Sequence, residues 1–313
     1  QRPRGIRGAL RGDAVELTGR VREGGGTSAV ARFGALGDLF GGCRVESGAA
    51  VFHRWRGEMY ELIGMPSPLG GSRCHGVAGD GARWAVLHEQ GSPSSPVPVV
   101  TFFEPEGPAS GGVVLDAMRE ARPLTIAASG EGVAVATAPD PEGAIAITRF
   151  VDARRQSTVR HEGFERFAQV APGLAPWPGP GPSGQLALAH YALDELVVLR
   201  VGARGEELVR VPLSFHMHAD IQPAVASAPW GVVVATQSFD ADPTNGVVEV
   251  FLLSPGGDVL ASMPLAEASR GDDLRIGGIS AATASDGSVI LHWTENTPRD
   301  AGGRTLAVRL TCR

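Results

Sequence analysis

The sequence predicts an all-β protein folded as a β-propeller, and three observations predict it. First, one unit recurs about six times along the 313 residues: an apolar-x-Ala/Ser strand, a short Gly-containing turn, a run of small and β-branched residues, a loop, and a second apolar strand. Ile126-Ala127-Ala128-Ser129-Gly130-Glu131-Gly132-Val133-Ala134-Val135-Ala136-Thr137 is one copy, and Ala224-Val225-Ala226-Ser227-Ala228-Pro229-Trp230-Gly231-Val232-Val233-Val234-Ala235-Thr236 is another. A third runs from Ile279-Ser280-Ala281-Ala282-Thr283 into Asp286-Gly287-Ser288-Val289-Ile290-Leu291-His292. Second, the apolar runs are too short for packed helices, and Gly, Pro, Asp and Ser flank them. Third, Gly202-Ala203-Arg204-Gly205 and Ser254-Pro255-Gly256-Gly257-Asp258 place Gly where a hairpin needs positive φ. Short-strand repeats of this length build propeller blades.

Six blades are expected, at about 43–74, 75–122, 123–169, 170–219, 220–275 and 276–313, in one domain spanning 1–313. Lettered A to D from the inside outwards, the A strands fall at 45–47, 76–78, 124–128, 170–174, 224–227 and 279–283, and the B strands at 49–54, 83–89, 132–138, 185–191, 231–237 and 288–294. The C strands fall at 58–63, 97–103, 144–150, 195–201, 247–253 and 305–311, and the D strands at 113–118, 157–161, 208–213 and 259–263. The run Ala175-Pro176-Trp177-Pro178-Gly179-Pro180-Gly181-Pro182 reads as a rigid loop between blades, because Pro cannot donate to a ladder and the repeat resumes at once. The last unit lacks a strand D. Segment 14–21, Ala14-Val15-Glu16-Leu17-Thr18-Gly19-Arg20-Val21, is expected to supply it, closing the ring and removing an open edge. The rest of 1–42 is irregular; a seventh, degenerate blade over 22–40 is the alternative count.

Bulk composition narrows the function classes. A 43% hydrophobic content supplies a large core, and a net charge of −6 gives no electrostatic basis for nucleic-acid binding. All 28 basic residues are Arg, none is Lys, and Asn occurs only as Asn245 and Asn296. A GC-rich coding sequence explains this bias better than any demand for non-titrating cations. No apolar run reaches the roughly 20 residues of a membrane span. The chain starts at Gln1, which fits removal of a signal peptide and a secreted, periplasmic or cell-surface location. Cys43 and Cys74 precede the first strands of adjacent units, which fits a disulfide and leaves Cys312 unpaired; three reduced, buried thiols fit equally.

The A–B unit resembles the degenerate repeats of sialidase-like and other BNR-type propellers, which carry a similar strand, Gly-turn, strand unit. The resemblance covers most of the chain and implies the fold. It implies no catalytic residue. The Asp-box of those families, Ser-x-Asp-x-Gly-x-Thr-Trp, is not matched by Ser285-Asp286-Gly287 followed by Trp293, and no arginine cluster can be placed.

In a propeller the B–C and D–A loops emerge on one face. His53, His88, His190 and His292 fall near the ends of predicted B strands, and His75, His216 and His218 fall in D–A connections; only His161 lies elsewhere, on a strand D. Six of these, His53, His88, His190, His292, His216 and His218, form the candidate metal set, since imidazole suits zinc, copper, iron or nickel. His216 and His218 alternate on an extended segment, so both rings can point one way. Asp240 and Asp242, in the loop Phe239-Asp240-Ala241-Asp242-Pro243-Thr244-Asn245-Gly246, add hard oxygens that suit calcium, although the loop lacks the terminal glutamate of a calcium loop. The competing readings are histidines that cap strand ends and an Asx-built turn. Trp55 and Trp293, with Asp240 and Asp242, form the candidate binding face; Trp177 also falls near a loop, and packing over the blade tops is the alternative for all three indoles. Gly-x-Ser-x-Gly, His-Glu-x-x-His, P-loop and Cys-x-x-Cys are all absent from the sequence. Arg11-Gly12-Asp13 spells an adhesion tripeptide too short to carry an argument.

The function expected is non-catalytic: an exported recognition or scaffolding propeller that binds a protein partner through this face. Two alternatives stand beside it. One is a metal-dependent hydrolase or lyase with a His-lined site at the channel mouth, where a metal would activate water. The other is a glycan-binding or glycan-cleaving propeller; cleavage needs two carboxylates about 5–10 Å apart.

Overall fold

The computed structural model describes residues 6–9, 14–17, 32–36, 39–46, 49–56, 61–62, 67–69, 71, 73–92, 95–115, 124–130, 132–165, 170–179, 183–192, 195–213, 221–239, 246–267, 275–284, 286–296 and 304–311. Every regular element among them is a strand, and no helix is long and apolar enough to cross a membrane. The chain divides into two units, 28–162 with 203–205, and 1–27 with 163–202 and 206–313.

The unit containing 28–162 holds three antiparallel sheets. The first is β3 (Arg32–Leu36), β4 (Leu39–Glu46), β5 (Ala49–Arg56) and β6 (Glu61–Leu62) in that order, with β7 (Ser67–Pro68) also on β5. The second is β8 (Cys74–Gly79), β9 (Trp84–Ser92), β10 (Ser95–Phe103) and β11 (Ala109–Val114). The third is β12 (Leu124–Ala128), β13 (Gly132–Thr137), β14 (Ile145–Val151) and β15 (Arg154–His161). The other unit holds a hairpin of β1 (Ile6–Ala9) and β2 (Ala14–Leu17) and three more sheets. These are β16 (Gly173–Pro176) to β19 (Glu207–Leu213) through β17 (Leu186–Ala192) and β18 (Glu195–Val201); β20 (Ala224–Ala228) to β23 (Val259–Glu267) through β21 (Gly231–Phe239) and β22 (Gly246–Leu253); and β24 (Arg275–Thr283), β25 (Val289–Asn296) and β26 (Arg304–Leu310).

Second strands such as β13 and β17 are buried on both faces, which is why they read as unbroken runs of Val, Leu and Ala rather than alternating patterns. Among the described residues, their side chains and those of the third strands build cores between successive sheets of one unit. Phe52, Trp84 and Phe103 centre the first, and Leu87, Phe102 and Phe150 the second. Tyr191, Val234 and Phe251 centre the third, and Leu252, Leu291 and Trp293 the fourth.

The recurring letters of the repeat have separate physical jobs. Gly132 and Gly231 open the second strands of their sheets, and a Cβ there would lie 1.9 Å from Phe150 O and 2.2 Å from Leu253 O; the third strand's carbonyl leaves room for Gly only. The Ser/Thr near the end of the first strand serves the neighbouring sheet. Ser227 Oγ donates to Pro176 O on β16, and Thr283 Oγ1 donates to Ser227 O on β20. Indoles make comparable links: Trp177 Nε1 donates to Pro255 O (2.9 Å) and Trp230 Nε1 to Gly287 O (2.9 Å).

Two expectations are corrected. Ala14–Leu17 does not complete the last sheet: among the described residues that sheet has three strands, Ala14–Leu17 pairs with Ile6–Ala9, and 18–21 lie outside the described residues. A four-residue strand finds a partner most cheaply across a short connection, because loop-closure cost grows with separation. The first sheet is shifted by one strand. Arg32–Leu36 is its first strand, Leu39–Glu46 its second and Ala49–Arg56 its third. The Gly-rich stretch from Gly24 to Gly42 hides β3, since Phe33-Gly34-Ala35-Leu36 offers little apolar signal before β4.

Cys43 on β4 and Cys74 at the start of β8 form a disulfide, with Cα atoms 6.0 Å apart, between the first and second sheets. Leu69, Gly71 and Arg73 form a strap between these two sheets in sequence. Ala50 N donates to Gly71 O (2.6 Å), Leu69 N to Ala50 O (2.9 Å) and Glu89 N to Arg73 O (3.0 Å), so this strap is bonded to both sheets.

Candidate functional site

The polar residues of interest lie on or beside second strands, His88 and Glu89 on β9 in one unit and His190 and Tyr191 on β17 in the other. On β8 the register slips between Cys74 and Gly76, so His75 is the extra residue of a bulge. The bulge turns the His75 ring onto Glu89, with Nε2 3.1 Å from Oε1 and both side chains under one-tenth exposed. His88, opposite Cys74 in the register, is fully buried, with Nε2 2.8 Å from Thr101 Oγ1. Desolvation, opposed by the Glu89 backbone and aided by His75, lowers its pKa to about 4, so the ring is neutral at pH 7.

In the other unit, His190 is also fully buried. Tyr191 N–H donates to its Nδ1 (2.7 Å), which leaves Nε2–H to donate to Val170 O (3.0 Å). Burial depresses this imidazole too. Tyr191 O–H donates to Ile221 O (2.7 Å) and stands 2.8 Å from Thr236 Oγ1, which donates to it in turn. These bonds tie the connections before β16 and β20 both to β17, and link β17 to β21 of the next sheet.

The other predicted residues are dispersed. His53 is buried midway along β5, a third strand, and not at the end of a second strand, because the first sheet is shifted. His292 lies midway along β25, exposed, with Nδ1 3.2 Å from Ser280 Oγ; partial desolvation lowers its pKa. Trp293 is 1% exposed in the core between β20–β23 and β24–β26, so its indole does not form part of a loop surface. Leu291 is buried and His292 exposed beside it, the alternation that a strand, not a loop, imposes. Trp55 stands on β5, its backbone paired with Phe40 and Leu62, and not in a loop. His216, His218, Asp240 and Asp242 lie outside the described residues. Among the described residues no three His, Cys, Asp or Glu side chains converge as a metal ion requires.

Sequence reading missed Glu89, Thr101 and the Tyr191–Thr236 pair. Glu89 was visible as the acid following His88, but its pairing with His75 depends on a bulge that no residue type announces.

No protein-family model matches the chain, and no curated protein matches it. Solved structures do. A protein of unknown function from Dyadobacter fermentans is 13% identical, with 94% of this chain and 99% of that one aligned at a TM-score of 0.59. A subtype N10 neuraminidase-like protein of a little yellow-shouldered bat strain from Guatemala is 12% identical, covering 95% and 100% at 0.54. A luciferin-regenerating enzyme is 12% identical, covering 93% and 95% at 0.52. At such identities the likeness is one of fold, and the fold is that of a β-propeller resembling the sialidase type.

Proposed function

We propose that the chain is an exported recognition or scaffolding propeller, one domain over 1–313, that binds a protein partner through the sheet ends carrying its long connections. One observation carries this reading: the two ends of the sheets differ. At one end, tight turns close the strands, with Ser129 N bonded to Gly132 O (2.8 Å), Gly202 N to Glu206 O (2.7 Å), Ser254 N to Asp258 O (2.8 Å) and Ala284 N to Ser288 O (2.8 Å). Between the described strands at that end, the longest stretch of sequence is 177–185. At the other end longer stretches of sequence separate the described strands, 115–123, 162–172, 214–223, 268–274 and 297–303, and long connections are where recognition residues concentrate. His75, His88 and His190 serve the scaffold beneath that end through the bonds given above. The Cys43–Cys74 disulfide supports export.

The test is affinity capture from the extracytoplasmic fraction of the source organism, paired with elemental analysis of the purified chain. Replacing His216 and His218, or Asp240 and Asp242, by Ala should weaken a captured partner about tenfold or more. Replacing Asp258 on a tight turn should leave it unchanged. Uniform binding by all variants would overturn the surface assignment. One transition metal per chain with hydrolytic turnover, or a sugar-dependent rise in Tm, would replace the reading by the metal-enzyme or glycan alternative.

A further inference from the structure

The outer ladders of the four-stranded sheets share one irregularity. Between β10 and β11 the register passes from Phe102 opposite Gly111 to Phe103 opposite Ala109, so Ser110 has no residue opposite it. Gln156 is skipped in the same way on β15, Leu208 on β19 and Leu260 on β23. Each lies within the first three residues of its strand, beside the turn from the third strand. The ladders one step further in, β9–β10, β13–β14, β17–β18 and β21–β22, run without a shift. The last sheet follows suit: β26 is its third strand and pairs with β25 in continuous register. The bulge at this step therefore belongs to outer strands and not to antiparallel pairing as such.

An outer strand turns a row of N–H and C=O groups away from its own sheet, which is a template for a further strand. β11, β15, β19 and β23 are six to nine residues long, enough to pair with another chain. A bulge bends the strand and increases its twist, so the groups along the edge no longer stand in one line. The same edges carry further obstacles. Pro212 on β19 and Pro264 on β23 have no N–H to donate, and β15 exposes Arg154, Arg155 and Arg160. The bulge has one competing role, to seat the turn of the following sheet. Val209 follows Leu208, and a Cβ at Gly257 would lie 3.5 Å from Val209 Cγ1. Seating a turn gives no reason for the prolines and arginines further along these edges.

We infer that the outer-strand bulge is a built-in block to self-association, which keeps β11, β15, β19 and β23 from adding a strand of a second copy of this chain. Two copies meeting edge to edge about a two-fold axis would pair the same strand with itself, antiparallel. The bulge breaks the straight run of donors and acceptors that this pairing needs.

Deleting Leu208 tests the inference. Because Leu208 has no residue opposite it, every other β18–β19 pair keeps its register and its face. Pro212→Val is added to return a donor to the same edge. Size-exclusion chromatography with light scattering reads the mass of the full chain as its concentration is raised, and circular dichroism reads its fold. The double variant is expected to keep the native spectrum and to self-associate about tenfold more tightly than wild type, the size of two or three regained ladder bonds. Pro212→Val alone keeps the bulge and should match wild type. Should the Leu208 deletion fail to fold, deletion of Gln156 from β15 decides by the same readout. A folded deletion variant that associates no more than wild type overturns the inference. Loss of native structure in both deletions does so too, since the bulge would then be a seat for the neighbouring turn. Association of Pro212→Val alone, to the same degree as the double variant, would make the proline and not the bulge the block.

Discussion

Acid should unfold this protein through its buried imidazoles, and His88 allows the size to be worked out. Its folded pKa of about 4 lies below the ordinary 6.5, so between those values the unfolded chain binds more protons than the folded one. Stability is therefore complete above about pH 6.5 and is lost as pH falls towards 4. At about 1.4 kcal/mol per pH unit, that interval corresponds to about 3 kcal/mol from one fully buried ring. His190 and His292 are depressed in the same direction and add to the slope. Urea unfolding at intervals from pH 4.5 to 8 measures it. Wild type should lose stability progressively below about pH 6.5, and His88→Phe should be less stable at pH 7 but show a shallower slope. Equal slopes for the two proteins would refute the reasoning, because the desolvated ring would then not be the group that titrates.

Trp293→Ala should cost about 3–5 kcal/mol, seen as a large drop in Tm, because the indole fills a core between two sheets. An unchanged Tm with lost partner binding would restore Trp293 to a surface. Replacing Cys43 and Cys74 together by Ser should cost about 4 kcal/mol in urea titration, the loop-closure value for a sequence separation of 31 residues. Gly132→Ala should destabilise by about 1–3 kcal/mol in the same assay, since its Cβ would meet the Phe150 carbonyl; tolerance would show that β14 can yield.

The fold was legible wherever the same physical demand recurred. Gly132 and Gly231 answer to one close carbonyl approach, and Ser227 and Thr283 to one inter-strand bond, so the demand leaves a repeating letter. The first sheet escaped because β3 lies in a run of glycines that weakens the apolar pattern, and the strand count then slipped by one. That slip displaced His53. The histidine face was only partly legible for a different reason: His88 and His292 sit inside strands that run further than their apolar cores suggest, so neither marks a strand end. Burial was harder still. Trp293 and Ile290 look equally apolar in sequence, yet one is 1% and the other 41% exposed, because adjacent strand residues face opposite sides.

The hydroxyl links from Thr283 to Ser227 and from Ser227 to Pro176 have a consequence for how such a chain can change. Each link reads the neighbour's backbone, not its side chain, so the accepting position is free to be Pro, Ser or anything else while the donor is held. The signature is thus directional: every sheet from β20 onwards announces itself to the one before it. An added copy of the unit would bring its own donor and find an acceptor already in place on whichever sheet preceded it. Growth by duplication then needs no co-ordinated second mutation, whereas deleting an internal copy costs a donor and its acceptor together. The regularity seen in the sequence is in this sense a grammar of adjacency, written at the joins between sheets.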